Sequence, residues 1–80
     1  MSQAVTSAKM LGAALRNWRK AHALTQSEVA GRLGLAQKAI SAIENHPERA
    51  GVERLMQVLS ALELELVLQP RRQNAPAEEW

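Results

Sequence analysis

The stretch that decides the fold is residues 25–45, which read TQSEVAGRLGLAQKAISAIEN. Two short helical patterns are joined by a break at Gly34, a residue that readily adopts the positive φ of a sharp turn. Thr25 and Glu28 have the spacing of a capping box at a helix start. Ala30 is small enough for a second helix to cross closely over it. These features predict a helix-turn-helix, although an αα-hairpin that only packs shares several of them.

The second helix of this pair has one apolar and one polar side. Ile40 and Ile43 are its expected buried anchors. Gln37, Lys38 and Ser41 lie on the other side, where they are free to face a base edge or a phosphate. The combination of a cap, a small residue, a glycine, isoleucines and a polar outer side favours DNA binding over a hairpin that only packs.

The chain before the motif predicts one further helix. Residues 1–6 are short and polar and are expected to be disordered. Ser7 can cap a helix over about residues 8–22. Its packed face is an apolar stripe at helical spacing, made of Leu11, Ala14, Leu15 and Trp18.

The chain after the motif predicts a loop and a fourth helix. Pro47 stops the preceding helix, and residues 46–51 form the loop. The fourth helix follows from apolar residues at regular helical spacing, expected to close the core: Val52, Leu55, Met56, Leu59 and Leu62.

The hydrophobic period then changes to two, because residues 62–68 read LELELVL and Pro70 follows. This alternation predicts a half-buried strand that has no partner strand in the same chain. A second copy of the protein can supply one across a two-fold axis. The predicted dimerisation residues share one face of the strand: Leu62, Leu64, Leu66 and Leu68. The alternative is that the segment only extends the last helix.

The expected architecture is therefore a mainly α domain over residues 7–69, followed by a flexible tail over residues 70–80. Trp80 ends this polar tail, where a large apolar side chain gains nothing from exposure to water. Either Trp80 docks on a partner, or its position is an accident of the sequence.

The composition limits the function classes. Eighty residues make one small domain, and the absence of Cys rules out disulfides and cysteine metal sites. His22 and His46 are too few for a closed zinc site. No nucleophile is set beside a base, so we expect no enzyme, no metal and no cofactor. A cytoplasmic, nucleoid-associated location is expected.

The charge is divided unevenly along the chain. Residues 1–62 carry eight lysines and arginines against four glutamates, whereas residues 63–80 carry two arginines against four glutamates. This division suits a nucleic-acid binder with a separate partner-binding end, although ordinary solvation of the surface would also produce it. No run approaches the length of a membrane span, and we expect no signal peptide.

Residues 11–62 resemble the lambda-repressor-like (Xre/Cro) DNA-binding domains, which are bundles of four or five helices. The resemblance rests on the family signature TQ-x-x-(V/L)-A-x-x-LG-(L/I)-x-Q-x-x-IS-x-IEN, which residues 25–45 match. One departure is Ala36, which stands where relatives often place Ser or Thr as a helix cap. Since a lost cap costs about 0.5–2 kcal/mol, this helix must depend on tertiary packing.

The resemblance implies roles for individual residues. Gln26 is expected to touch a phosphate and to support Gln37, the glutamine that reads a base. The remaining implied DNA-binding residues are Lys38 and Ser41 in the major groove and Asn45 on the DNA backbone. Arg19 and Glu44 match a buried salt bridge of the family, so they are not counted as DNA contacts.

The whole chain is similar to the HipB-type antitoxins through three features in order: GLAQKAIS, SALELELVL and a tail that ends in EEW. This resemblance implies a homodimer that binds a palindromic operator, represses its own operon and holds a HipA-like serine/threonine kinase toxin. Some related operons split that toxin into two proteins. The main alternative is a plain Xre-family regulator without a toxin partner, and another is a helical adaptor that binds only protein.

Overall fold

The structure, a computed structural model, describes residues 3–71. Within that range it contains four α-helices and one 3₁₀ turn but no strand. The elements in chain order are α1 (Ala8–Ala21), α2 (Gln26–Leu33), α3 (Gln37–Asn45), the 3₁₀ turn (Pro47–Arg49) and α4 (Val52–Ala61). The predicted mainly helical architecture is thus confirmed.

The predicted helix starts are confirmed where side chains cap them. The Ser7 hydroxyl accepts a hydrogen bond from the backbone N–H of Met10 and begins α1. Thr25 caps α2 in the expected way. Ala36 has extended backbone before α3 and supplies no side-chain hydrogen bond. Helix α3, the second helix of the motif, therefore begins without a side-chain cap and is supported by packing.

The core lies where all four helices meet. Its buried apolar side chains are Leu15, Val29, Ala30, Ile40, Ile43, Val58 and Leu62. Helix α3 packs against both α1 and α2, and α4 packs against α2. Ala30 is only 1% exposed, which confirms that a small residue allows α3 to cross closely over α2.

Gly12 marks a close approach that the sequence did not indicate. A Cβ atom on Gly12 would lie 2.2 Å from the backbone oxygen of Glu44. No side chain can be accommodated at that distance, and the obstacle is backbone that cannot rotate away. Gly12 therefore lets α1 lie directly on the end of α3.

The register of α4 differs from the prediction. Val52 is 73% exposed and Met56 45% exposed, whereas Val58 is 2% exposed. The face of α4 that carries Leu55, Val58 and Leu59 is turned toward the core. Leu62, just after the end of the helix, is also a core residue. Met56 is about 100° around the helix from Leu55, so it cannot share that face. Val52 and Met56 are thus wrongly predicted as core residues.

Three helices end with the same local geometry. Ala23, Gly34 and Glu63 follow α1, α2 and α4 with φ values of 56°, 68° and 58°. After each of them, the next backbone N–H bonds back five residues to a helix carbonyl, as in the Schellman motif. The positive φ predicted at Gly34 is confirmed. The other two ends use non-glycine residues that carry no such sequence signal.

The segment after α4 is not helical, so the alternative of a longer last helix is wrong. Leu62 and Glu63 form the turn that ends α4, and they are not part of a strand. Leu62 is 4% exposed and belongs to the core of its own chain, and Leu64 packs against that core. Leu66 and Leu68 are 59% and 91% exposed. Pairing of a strand across a dimer remains a prediction.

Candidate nucleic-acid interface

The start of α2 is a complete capping box. The backbone N–H of Glu28 donates to the Thr25 hydroxyl at 3.0 Å, and the Thr25 N–H donates to the Glu28 carboxylate at 2.8 Å. That second bond is the main reason that the pKa of Glu28 lies below its ordinary value. The box orders the first turn of α2 and thereby places Gln26 beside α3.

A buried ion pair lies behind this surface. Both Arg19 and Glu44 are less than a tenth exposed. The Arg19 Nε lies 2.6 Å from Glu44 Oε2, and Arg19 Nη2 lies 3.1 Å from Glu44 Oε1, so the contact is bidentate. The buried salt bridge implied by the family resemblance is confirmed.

The pair governs the charge state of both its members. Burial tends to raise the pKa of Glu44, but hydrogen bonds from Arg19 and Gln26 and the positive charge of Arg19 outweigh it, so the pKa is lowered. The hydrogen bond to Glu44 raises the pKa of Arg19 above its already high ordinary value. Both side chains are therefore charged at neutral pH.

From this pair a hydrogen-bonded chain leads to the surface; we call Arg19, Glu44, Gln26 and Gln37 the glutamine chain. Gln26 Nε2 donates to Glu44 Oε1 at 3.0 Å. Gln37 Nε2 in turn donates to Gln26 Oε1. The predicted support of Gln37 by Gln26 is present in the free protein, and Glu44 fixes Gln26 from behind.

The exposed amide of Gln37 keeps the groups that a base contact needs. An amide nitrogen has two N–H donors, of which Gln26 uses one. The second N–H and the amide oxygen of Gln37 can donate to and accept from one base edge, which is the bidentate pattern for adenine. The hydrogen bond to Gln26 thus orients Gln37 and leaves its other hydrogen-bonding groups available.

The other end of α3 carries a second hydrogen-bonded group. Asn45 Nδ2 donates to the Ser41 carbonyl at 3.0 Å and to the Ser41 hydroxyl at 3.3 Å. Arg16 Nη2 donates to Asn45 Oδ1 at 2.7 Å. Ser41 and Asn45 are therefore held together on α3, while Lys38 lies exposed between them and Gln37.

Arg16 is a residue that reasoning from the sequence missed. Its Nε lies 3.7 Å from Glu44 Oε1, so it touches the ion pair as well as Asn45. An open groove beside it is lined by Lys9, Asn45 and Glu48 among others. The signal was available, because Arg16 precedes Arg19 by three residues and therefore lies on the same side of α1.

The remaining predicted site residues lie elsewhere. Leu62 is part of the domain core and Leu64 packs against it, whereas Leu66 and Leu68 project into solvent. Trp80, the predicted partner-binding residue, lies outside the described residues. Within residues 3–71 no three histidine, cysteine or acidic side chains are grouped to hold a metal ion. None of the helices in that range is long and apolar enough to cross a membrane.

Two short helices joined at a left-handed glycine, the second with oriented polar side chains on its outer side, define a helix-turn-helix domain. Comparison with known proteins agrees, since the Helix-turn-helix family model matches residues 15–69. The chain is 31% identical to Antitoxin HipB of Escherichia coli over 92% of its own length and 79% of that protein.

Solved structures extend this similarity to three dimensions. The structure described as "HipB-O4 20mer complex" has a TM-score of 0.83 and 31% identity, covering 89% of this chain and 100% of that one. The "Structure of HipA-HipB-O2-O3 complex" gives the same TM-score, identity and coverage. The protein belongs to the HipB family of helix-turn-helix proteins.

Proposed function

We propose that the protein is an antitoxin and a DNA-binding transcriptional repressor of its own toxin–antitoxin operon. The observation that carries this proposal is the glutamine chain, which presents Gln37 on the outer side of α3 with a base-reading group free. Membership of the HipB family supports the antitoxin half of the proposal. Structures of HipB with a 20mer support the DNA-binding half.

The proposed DNA-binding roles are those that the family resemblance implies. Gln37 reads a base edge and Gln26 contacts a neighbouring phosphate while holding Gln37. Lys38 and Ser41 face the major groove, and Asn45 contacts the DNA backbone near Arg16. The 62–68 segment, effectively from Leu64 onward, pairs two copies so that two recognition helices lie about 34 Å apart on a palindromic operator.

Substitution of Gln37 tests the recognition role. Gln37→Ala removes the bidentate contact and should cost about 1–3 kcal/mol of discrimination against the wrong base. The matched control is Gln57→Ala, which removes an exposed glutamine from α4, outside the proposed interface. Fluorescence anisotropy with operator duplexes that differ at single positions measures both variants. Unchanged base preference in Gln37→Ala would show that α3 does not read the sequence through this residue.

We propose that the toxin partner is a HipA-like serine/threonine kinase, either a single protein or one split into two. The similar structure described as a HipA-HipB-O2-O3 complex supports this proposal. The tail bearing Trp80 is the proposed contact, because Glu78 and Glu79 repel phosphate while the indole offers a large apolar surface. Truncation after Gln73 should weaken the toxin complex in calorimetry and leave operator affinity nearly unchanged.

The second candidate is a plain Xre-family regulator without a toxin, which would use the same helix-turn-helix. The neighbouring gene separates the two candidates, since a kinase-like reading frame beside this one belongs only to the first. Calorimetry with that gene product then gives the direct answer. Equal affinity of the full-length and truncated proteins would remove Trp80 from the proposed contact.

A further inference from the structure

The last four carbonyl groups of α4 all accept hydrogen bonds. The Leu64 N–H donates to the Leu59 oxygen at 2.8 Å, and the Glu63 N–H donates to the Ser60 oxygen at 3.0 Å. These two bonds make up the Schellman turn. The next two carbonyls belong to Ala61, the last residue of α4, and to Leu62, the first residue of the turn, and would ordinarily be left to water.

Side chains from two other helices bond those two carbonyls. Arg32 Nη1, from the last turn of α2, donates to the Ala61 oxygen at 2.7 Å. Trp18 Nε1, from α1, donates to the Leu62 oxygen at 2.9 Å. We call Trp18 and Arg32 the exit clamp, because they bond the chain at the point where it leaves the helical domain.

The indole of the clamp is itself held in place. The Trp18 and His22 rings have centroids 4.2 Å apart, and His22 Nδ1 lies 2.9 Å from the Trp18 carbonyl oxygen. Glu63 meanwhile has a φ of 58°. This left-handed conformation is unfavourable for a non-glycine residue and is kept only where surrounding contacts stabilise it. The turn from which the chain leaves the helical domain is thus tied to α1 and α2.

We propose that Trp18 and Arg32 are positioning residues that set the spacing between the two DNA half-sites. The inference rests on the proposed function, in which the segment beyond Leu64 pairs two copies of the chain. Because α2 and α3 form the helix-turn-helix, a segment tied to α1 and α2 keeps a constant angle to the recognition helix. The dimer then holds both recognition helices in one relative orientation.

The geometry of DNA makes such rigidity measurable. One base pair added between the half-sites rotates them by about 35° and separates them by about 3.4 Å. A rigid dimer cannot follow this change without losing contacts to one half-site. A dimer whose exit turns can bend should follow it in part, so its preference for one spacing should fall.

Two substitutions remove the donors and keep most of each side chain. Trp18→Phe keeps an aromatic ring without the N–H, and Arg32→Met keeps an unbranched stem without the guanidinium. Arg54→Met is the control for charge and length, because Arg54 lies exposed in the first turns of α4. The probes are three duplexes: a palindrome selected by the wild-type protein from a random library, and the same palindrome with one central base pair added or removed.

Anisotropy titrations give the ratio of affinities for the selected and altered spacings. For the wild-type protein and Arg54→Met we expect a ratio of about tenfold or more, comparable to the loss of one base contact. Trp18→Phe and Arg32→Met should each lower the ratio at least about threefold. Thermal unfolding is measured beside them, because loss of a helix cap alone lowers stability without altering the ratio.

The outcomes separate the inference from the proposed function. If the wild-type protein prefers one spacing and both clamp variants keep the same ratio while unfolding earlier, the two bonds are only helix caps and the inference is wrong. If the wild-type protein sediments as a monomer on and off DNA and shows no spacing preference, the proposed dimer itself fails and the inference fails with it.

Discussion

The proposed DNA-facing surface and the segment after α4 differ in how far their side chains find partners within one chain. On the outer side of α3, Gln37 is bonded through Gln26, and Asn45 is bonded to its neighbours, before any DNA is present. After α4, Leu66 and Leu68 project into solvent with more than half of their surface exposed. We call the outer side of α3 the finished region, because its polar side chains are bonded within one chain. We call the segment after α4 the unfinished region, because the side chains of Leu66 and Leu68 are exposed to solvent.

In the proposed DNA binding, this difference separates the preference for particular bases from the preference for one half-site spacing. Polar side chains that are oriented beforehand lose little further freedom when a base arrives, so each half-site can be read by a single domain. An exposed apolar segment gains its stability only against a partner. Under the proposed function, base preference is built into one chain, whereas the separation of the two half-sites depends on two copies of the chain.

The largest effect is expected from Glu44→Gln, which breaks the finished region. Removal of one member of a buried ion pair leaves Arg19 without its counter-charge, and such a loss costs about 3–5 kcal/mol of unfolding free energy. Because the folded pKa of Glu44 is lowered, its contribution is fully present above the unfolded pKa of about 4.3. It is lost as the pH falls through the folded pKa, so the difference from wild type should shrink in acid. Urea unfolding at pH 7 and pH 3 measures it.

The double variant Arg19→Met with Glu44→Leu is the control for this loss. Replacing both partners by apolar side chains of similar size is often neutral or stabilising. Gln26 would nevertheless lose its acceptor, so base discrimination should fall in a stable domain. A double variant that folds and reads DNA like the wild type would show that the glutamine chain is dispensable for recognition.

The sequence predicted the finished region better than the unfinished one. The capping box at Thr25, the left-handed turn at Gly34 and the missing cap at Ala36 are local features, and each could be read from a few adjacent residues. The salt bridge between Arg19 and Glu44 required the family resemblance, because 25 residues separate its partners.

Other features depend on packing that no local pattern encodes. The rotation of α4 that buries Val58 and exposes Val52 is set by its contact with α2. The left-handed conformation of Glu63 carries no glycine signal, so the sequence did not reveal that Leu62 and Glu63 form the turn that ends α4. The hydrogen bond from Arg16 to Asn45 joins positions 29 residues apart, and it depends on the packing of α1 against α3.

The next effect concerns the unfinished region and follows from Leu66→Pro. Proline removes a ladder donor from each copy in the proposed two-fold sheet. Two lost hydrogen bonds, at about 0.5–1.5 kcal/mol each, should weaken the dimer about tenfold or more. Domain stability should hardly change, since Leu66 is exposed and lies beyond α4. Analytical ultracentrifugation gives the dimer affinity, and chemical unfolding gives the stability.

The matched control is Val67→Pro, because adjacent residues of a strand direct their N–H groups to opposite edges. Val67→Pro should weaken the dimer less than Leu66→Pro. A dimer of undiminished strength in both variants would contradict pairing through this segment and would direct attention to the exposed face of α4. Equal weakening by both would indicate a general distortion of the segment rather than a lost ladder bond.

The smallest effect is expected at Ala36, the one weak point of the finished region. Ala36 has the extended backbone of a cap residue, with φ −78° and ψ 151°, but has no side-chain oxygen to bond the first N–H groups of α3. Ala36→Thr should add that bond and stabilise the domain by about 0.5–2 kcal/mol. Ala36→Val is nearly identical in shape without the hydroxyl, so the difference between the two variants isolates the cap. Thermal unfolding should place Ala36→Thr several degrees above Ala36→Val, about 4–8 °C per kcal/mol for a domain of this size. Equal stability of the two would mean that water already satisfies the start of α3 as well as a hydroxyl could.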